Sequence, residues 1–161
     1  MGMTATLALD TAGGYIGGLD IPGWELFYKG KVRDLYRHPN HPDQLLMIAT
    51  DRLSAFDVVM AETIPDRGKI LTFITEHWLK EVSDWMPAAR ITCEPSKVPD
   101  LPSEVHDVLR GRMTWTHTAD RVNVEIVLRA HLAGSGYREY RDTGKLWDIE
   151  VPEGLQNSSK L

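Results

Sequence analysis

Apolar and polar positions alternate in short bursts early in the chain and again over residues 113–128, with one helical stretch between them. Trp24 to Tyr28 reads as a strand, Tyr28-Lys29-Gly30-Lys31 as a turn, and Val32 to Tyr36 as the returning strand. On that second strand Val32, Asp34 and Tyr36 share one face, and Arg33 and Leu35 the other. His38-Pro39-Asn40-His41-Pro42-Asp43 carries the punctuation of a loop. Leu45 to Ala49 is a continuous apolar run, the pattern of a buried strand, which Thr50-Asp51-Arg52 ends with polar groups. Ile70, Ile74, Trp78, Val82 and Trp85 recur at spacings of four and three. They predict an amphipathic helix over 69–85, stopped by Pro87. Ala88 to Cys93 reads as a strand, and Glu94 to Pro102 as a proline-rich connection. Ser103 to Arg110 reads as a short helix with Ser103 as candidate cap. Met113 to Thr118 alternates as a strand. Val122 to Leu132 alternates too, with Val122, Val124, Ile126 and Leu128 on one face and Asn123, Glu125, Val127 and Arg129 on the other. From Trp147 to Leu161 the chain turns polar and loop-like.

Strands and helices mixed in this way, with hairpin-like starts, predict an α+β fold rather than a series of strand–helix–strand units. The glycine-rich Gly13-Gly14-Tyr15-Ile16-Gly17-Gly18 stretch fits neither a Walker loop nor a dinucleotide fingerprint. It predicts that residues 1–23 form a flexible leader or a tail that covers substrate. The chain has 161 residues, 42% hydrophobic and 25% charged, enough to build a core. Its formal net charge of −5 gives no overall sign of a nucleic-acid partner, so any grip on anions must be local. Cys93 is the one cysteine, which excludes an internal disulfide and suits a reducing cytoplasm. No apolar run approaches the roughly 18 residues that span a bilayer. The six histidines show no metal-ligand spacing with partners, and no metal is assigned to them.

Four segments carry chemistry. Gly30-Lys31-Val32-Arg33 sits between two strands, where a glycine lets backbone amides approach a phosphate while Lys31 and Arg33 supply charge; a solvated basic turn has the same composition. Thr50-Asp51-Arg52-Leu53-Ser54-Ala55-Phe56-Asp57 gathers two carboxylates, an arginine and two hydroxyls at the end of an apolar strand. They can converge on one ligand, or Ser54 or Asp51 can cap a helix. Lys69 precedes the long helix and can meet an anion near its N-terminus. Glu125 and Arg129 lie on the polar face of a half-buried strand, costly without partners, and Ala133-Gly134-Ser135-Gly136 then presents amides and a hydroxyl as phosphate sites do. A structural salt bridge followed by a turn is the alternative.

In their order, these segments resemble one family, SAICAR synthetase. Lys29-Gly30-Lys31-Val32-Arg33-Asp34-Leu35-Tyr36 resembles its opening phosphate-loop hairpin. Ala49 to Val59 and Ile64-Pro65-Asp66-Arg67-Gly68-Lys69 resemble its next two hallmarks. Val124-Glu125-x-Val127-Leu128-Arg129-x-x-x-Ala133-Gly134-Ser135, continued by Gly136-Tyr137-Arg138-Glu139-Tyr140, is similar to its first signature. The resemblance implies an antiparallel N-terminal lobe like the small lobe of kinases over residues 24–120, and over 121–161 a hinge and the start of an ATP-grasp-like lobe. It implies an ATP-dependent ligase of purine biosynthesis: ATP phosphorylates the carboxylate of carboxyaminoimidazole ribotide, and the amine of L-aspartate displaces the phosphate, with Mg2+ bridging phosphates. By matched position Gly30, Lys31 and Arg33 would hold ATP phosphates, and the backbone at Arg121 and Val122 would meet adenine. Arg129 and Ser135 would bind the ribotide phosphate. Asp51, Arg52, Ser54 and Asp57, with Glu125 nearby, would line the aspartate and imidazole-carboxylate region, Asp51, Arg52 and Glu125 as catalytic residues and Ser54, Asp57 and Lys69 as substrate-binding ones. Asn123 stands where the signature usually has proline, a sign of a divergent paralogue. The family's second signature, Asp-x-Lys-x-Glu-x-Gly, is absent. The 161 residues are therefore expected to lack the Mg2+ ligands, and a nucleotide-binding remnant without ligase activity is the alternative reading.

Overall fold

The computed structural model describes residues 8–120, 122–124 and 126–161. The chain divides into two compact units, one ending at Asp120 and the other running from Arg121 to Leu161. The first holds strands β1 (Glu25–Lys29), β2 (Arg33–Arg37), β3 (Gln44–Ala49), β4 (Arg52–Ala55), β5 (Val58–Thr63), β6 (Arg90–Thr92) and β7 (Met113–His117). It also holds helices α1 (Arg67–Glu81) and α2 (His106–Leu109). Five strands form an antiparallel sheet in the order β1-β2-β3-β7-β6, and β4 and β5 form a separate hairpin.

Register explains the core. Asp34 pairs with Ile48, Tyr36 with Leu46, Leu46 with Trp115 and Ile48 with Met113. The two-residue period of a strand puts all six side chains on one face, and all six are buried. Val98, Leu101, Val105 and Leu109 close over that face, joined by Tyr15, Leu19, Ile21 and Trp24. The stretch expected as a flexible leader is thus packed into the core at Tyr15, Leu19 and Ile21, while Leu9 and residues 11–13 are exposed. Tyr36 donates to the Leu19 carbonyl at 2.8 Å, and the Gly17 and Gly18 backbone takes positive φ to make the bend. What read as a flexible composition supplies turns between buried anchors.

The opposite face, with Arg33, Met47, Ala49 and Thr114, is roofed by α1. Here the helical periodicity misassigned its faces. Gly68 and Thr72 are the buried positions of α1, while Ile70, Phe73, Ile74, Trp78 and the following Trp85 are exposed. Gly68 decides this: a Cβ there would stand 2.5 Å from the Ala49 carbonyl oxygen, so the bare glycine side is the side that meets the sheet. The helix also ends at Glu81, earlier than expected, with Val82 as its C-cap. Ser103 is not a cap; it opens a 3-10 turn, Ser103–Val105, preceded by Pro102 and running into α2.

The second unit contains α3 (Gly134–Thr143), closed by Gly144 at φ 74°. No strand forms over the described residues from 122 to 132, apart from a bridge between His131 and Lys160. Val122, Val124, Ile126, Val127 and Leu128 are exposed. Alternation expresses a preference, but a strand needs a neighbouring strand to take up its backbone groups; here Ala130 and Leu132 bond to the turn at Ser158, Ser159 and Leu161 and no ladder forms among the described residues.

Candidate functional site

The loop Gly30-Lys31-Val32 joins β1 to β2 and is shaped from behind by one side chain. Arg52, at the start of β4, is 8% exposed and points its guanidinium into the loop. Its Nε donates to the Lys31 carbonyl at 3.0 Å and its terminal nitrogens to the Gly30 carbonyl at 2.7 Å and the Ile16 carbonyl. The same group pairs with the buried Asp34 carboxylate at 2.7 Å, and Asp34 also accepts from the Gly18 amide. With its carbonyls turned inward to Arg52, the loop leaves Lys31 and Arg33 exposed at its surface. Gly30 cannot be replaced easily, since a Cβ would lie 2.9 Å from the Arg33 carbonyl oxygen.

Asp51 has an equally complete set of partners. It is 2% exposed and accepts from the Tyr15 amide at 2.9 Å, the Gly68 amide at 2.8 Å, and Arg112 at 3.1 Å. Burial pushes its carboxyl up, but the two amides and Arg112 outweigh that and hold it below the usual range. The Gly68 amide belongs to the first turn of α1, so Asp51 satisfies a helix-end donor and ties α1, β7 and the N-terminal segment to the end of β3. Burial pushes Tyr15 well above the ordinary phenol range, with its ring 4.9 Å from the Arg112 guanidinium carbon.

Other residues singled out from sequence fall nearby. Asp57 sits at the tip of the β4–β5 hairpin, where Phe56 and Asp57 both take positive φ as a two-residue turn requires. Lys31 reaches that tip and pairs with Asp57 at 2.6 Å, and its hydrogen bond and charge hold the carboxyl low. Ser54 is half-buried on β4 and pairs with Val59. Lys69, exposed on α1, pairs with Asp66 at 2.8 Å. Arg33 lines a cavity of about 110 Å³ under the sheet, together with Thr50, Arg67, Thr72, Arg112 and Thr114. Arg67 and Arg112 were missed. The signal for Arg112 was Asp51 beside a buried strand, an acid whose burial demands an arginine partner, whereas Arg67 donates to the Arg52 carbonyl at 3.1 Å and had no such signal.

In the second unit, Arg129 donates to the Ser135 hydroxyl at 3.1 Å. Ser135 lies in the first turn of α3, so the expected small-residue turn is a helix start with Ala133 as N-cap. The Arg129 Nε is buried with no hydrogen-bond partner among the described residues, and its guanidinium carbon lies 5.6 Å from the Trp147 ring centre. A spare guanidinium donor beside the free amides of a helix start is a geometry that accepts an anion. Val122 is exposed, and Arg121 and Glu125 lie outside the described residues.

These features define an α+β protein whose antiparallel-sheet lobe is of the kinase-small-lobe and ATP-grasp-like kind, followed by the start of a second lobe. The sequence pattern of SAICAR synthetase matches residues 26–161, and the chain belongs to that family. It is 44% identical over 142 residues to the phosphoribosylaminoimidazole-succinocarboxamide synthase of Syntrophobacter fumaroxidans, covering 88% of this chain and 46% of that one. It is 41% identical over 145 residues to the synthase of the same name from Syntrophotalea carbinolica. Its fold matches the solved SAICAR synthase of Saccharomyces cerevisiae complexed with SAICAR at a TM-score of 0.75 and 31% identity, covering 87% of this chain and 48% of that one. The chain thus spans about half the length of the relatives it matches.

Proposed function

We propose that this chain is the nucleotide-handling half of an ATP-dependent ligase that joins L-aspartate to carboxyaminoimidazole ribotide through an acyl phosphate, giving SAICAR, ADP and phosphate. The observation that carries the reading is the Arg52-shaped loop, whose sequence resembles the family's phosphate hairpin and which leaves Lys31 and Arg33 at its surface. A loop fixed before ligand arrives loses little entropy on binding, so its cations act at nearly full strength on phosphate oxygens. Lys31 would exchange Asp57 for ATP phosphates, and the freed Asp57 carboxylate would then be open to the amine of aspartate. Arg129 and Ser135 would hold the ribotide phosphate at the start of α3. Asp51 and Arg52 act by positioning: their polar atoms face the protein, and they set the loop and the end of β3. Ser54 and Lys69 would complete the substrate wall, with adenine near Arg121 and Val122 and Glu125 beside the reacting carboxylate.

Mg2+ would neutralise phosphate charge in this chemistry. Asp34 and Asp51 do not fit as its ligands, since each is buried and already held by an arginine. Among the described residues no helix is long and apolar enough to cross a membrane.

The test is ADP release in the presence of ATP, the ribotide and aspartate. It is run on the 161-residue chain, and on the chain completed with the remaining length of the Syntrophobacter relative. The completed protein should release ADP only when all three are present. Nucleotide binding without any ADP release from the completed protein would make the chain a binding remnant and end the ligase reading. Arg129→Ala should weaken the ribotide far more than ATP in calorimetry, and equal loss of both would assign Arg129 a structural role.

A further inference from the structure

At the far end of β2 from the Gly30 loop, roughly 17 Å along the strand, lies a second cluster of chemistry-bearing side chains. His38 and His41 come from the loop after β2, and Asp100 from the loop before α2. One ligand atom from each lies within 4.8 Å of the other two. We infer that His38, His41 and Asp100 form a binding site for a divalent cation of the zinc type, unrelated to the nucleotide chemistry.

Geometry carries the inference. Asp100 Oδ2 is 3.0 Å from His41 Nε2 and 3.8 Å from His38 Nδ1. A tetrahedral zinc with bonds near 2.0–2.1 Å separates its ligand atoms by about 3.3 Å, between those two distances. The rings are also set in place. His38 is buried against the Trp24 ring at 5.0 Å, and His41 meets the Trp115 ring edge-on at 5.8 Å. Pro39 and Pro42 fix φ within the loop that carries both histidines. Asp100 is oriented by three contacts besides His38: Trp24 Nε1 donates to its carbonyl at 3.1 Å, and Asn40 Nδ2 and His41 meet its Oδ2 at 3.2 and 3.0 Å. Its backbone takes φ 57°, a conformation rarely held by a residue other than glycine.

The chemistry selects the ion class. Two imidazoles and one carboxylate favour zinc, cobalt or nickel over magnesium and calcium, which prefer all-oxygen sites. The metal would displace two hydrogen bonds, from the Asn40 amide to His38 Nδ1 at 3.3 Å and between His41 Nε2 and Asp100 Oδ2 at 3.0 Å. It would leave a fourth position for water. The rival is a hydrogen-bonded latch that closes the two loops without any ion.

The test titrates the 161-residue chain, with Cys93→Ser to remove the thiol, with Zn2+ and with Co2+ at neutral pH. One equivalent should bind, and the cobalt form should show the intense visible absorption of four-coordinate geometry. His41→Gln and Asp100→Asn should each weaken binding at least about tenfold, while His77→Gln, on the exposed side of α1, should not. Should either variant misfold, ring-nitrogen NMR on the unmutated histidines decides: zinc must move the signals of His38 and His41. Absence of one-equivalent binding, equal binding by the variants, or shifts at other histidines instead would each overturn the site and leave the latch.

Discussion

Arg52→Ala is the substitution that separates positioning from ligand contact. It removes the donor to the Gly30, Lys31 and Ile16 carbonyls and leaves the Asp34 carboxylate, fully buried, with the Gly18 amide as its remaining partner. Stranding one member of a buried pair costs about 3–5 kcal/mol. At this chain length 1 kcal/mol lowers the unfolding midpoint by about 2–4 °C, so the expected fall is roughly 6–20 °C. Urea unfolding followed by tryptophan fluorescence measures the cost, and calorimetry measures ATP affinity on whatever remains folded. Asp34→Asn combined with Arg52→Met, which removes both charges, should cost clearly less than the two single changes added together. The reasoning fails if Arg52→Ala moves stability by less than about 1 kcal/mol while abolishing ATP binding, because Arg52 would then touch ligand rather than hold the loop.

Gly68→Ala should destabilise by about 1–3 kcal/mol or more, since the new Cβ meets backbone at Ala49 and Thr50 that cannot yield; an unchanged urea midpoint would contradict that packing. Asp51 has a lowered carboxyl in the folded state, so its contribution is complete above the unfolded value near 3.9 and fades as pH falls through the folded value. The stability gap between wild type and Asp51→Asn in urea titrations should therefore be constant above about pH 4 and shrink below it. Lys31→Met breaks a solvent-exposed pair and should leave the unfolding midpoint nearly unchanged. It should weaken ATP binding about tenfold, the size of one charge-assisted hydrogen bond; equal losses in stability and binding would point to a structural lysine.

Most strands were legible because alternation along β2 and β7 and the apolar run of β3 record which face meets the core. Helix α1 was legible in place but not in orientation. Its apolar stripe drew attention, yet one glycine sets the contact, and hydrophobic periodicity cannot see a contact made by backbone. The residues after 121 misled for the converse reason: their alternation is real, but strand pairing is decided by a partner elsewhere in the chain. Composition marked Lys31 and Arg33 in one segment and Asp57 in another, and that Lys31 and Asp57 meet was visible only in the fold. That Asp51 and Arg52 look inward was hidden, because a buried acid and a ligand-binding acid are spelled alike; only the count of inward donors tells them apart. The His38, His41 and Asp100 grouping was invisible for want of a third ligand close in sequence.

Arg52 gathers Ile16, Gly30, Lys31 and Asp34, which lie 18 to 36 residues before it in the chain. The Gly30 loop is therefore not a local motif that a short peptide could reproduce. Its backbone amides should exchange with solvent as one unit with the amides of Gly17, Gly18 and β4, at the free energy of opening the whole lobe. Grafting the Gly30–Arg33 sequence into another hairpin would transplant its charges without the stiffness that makes them useful.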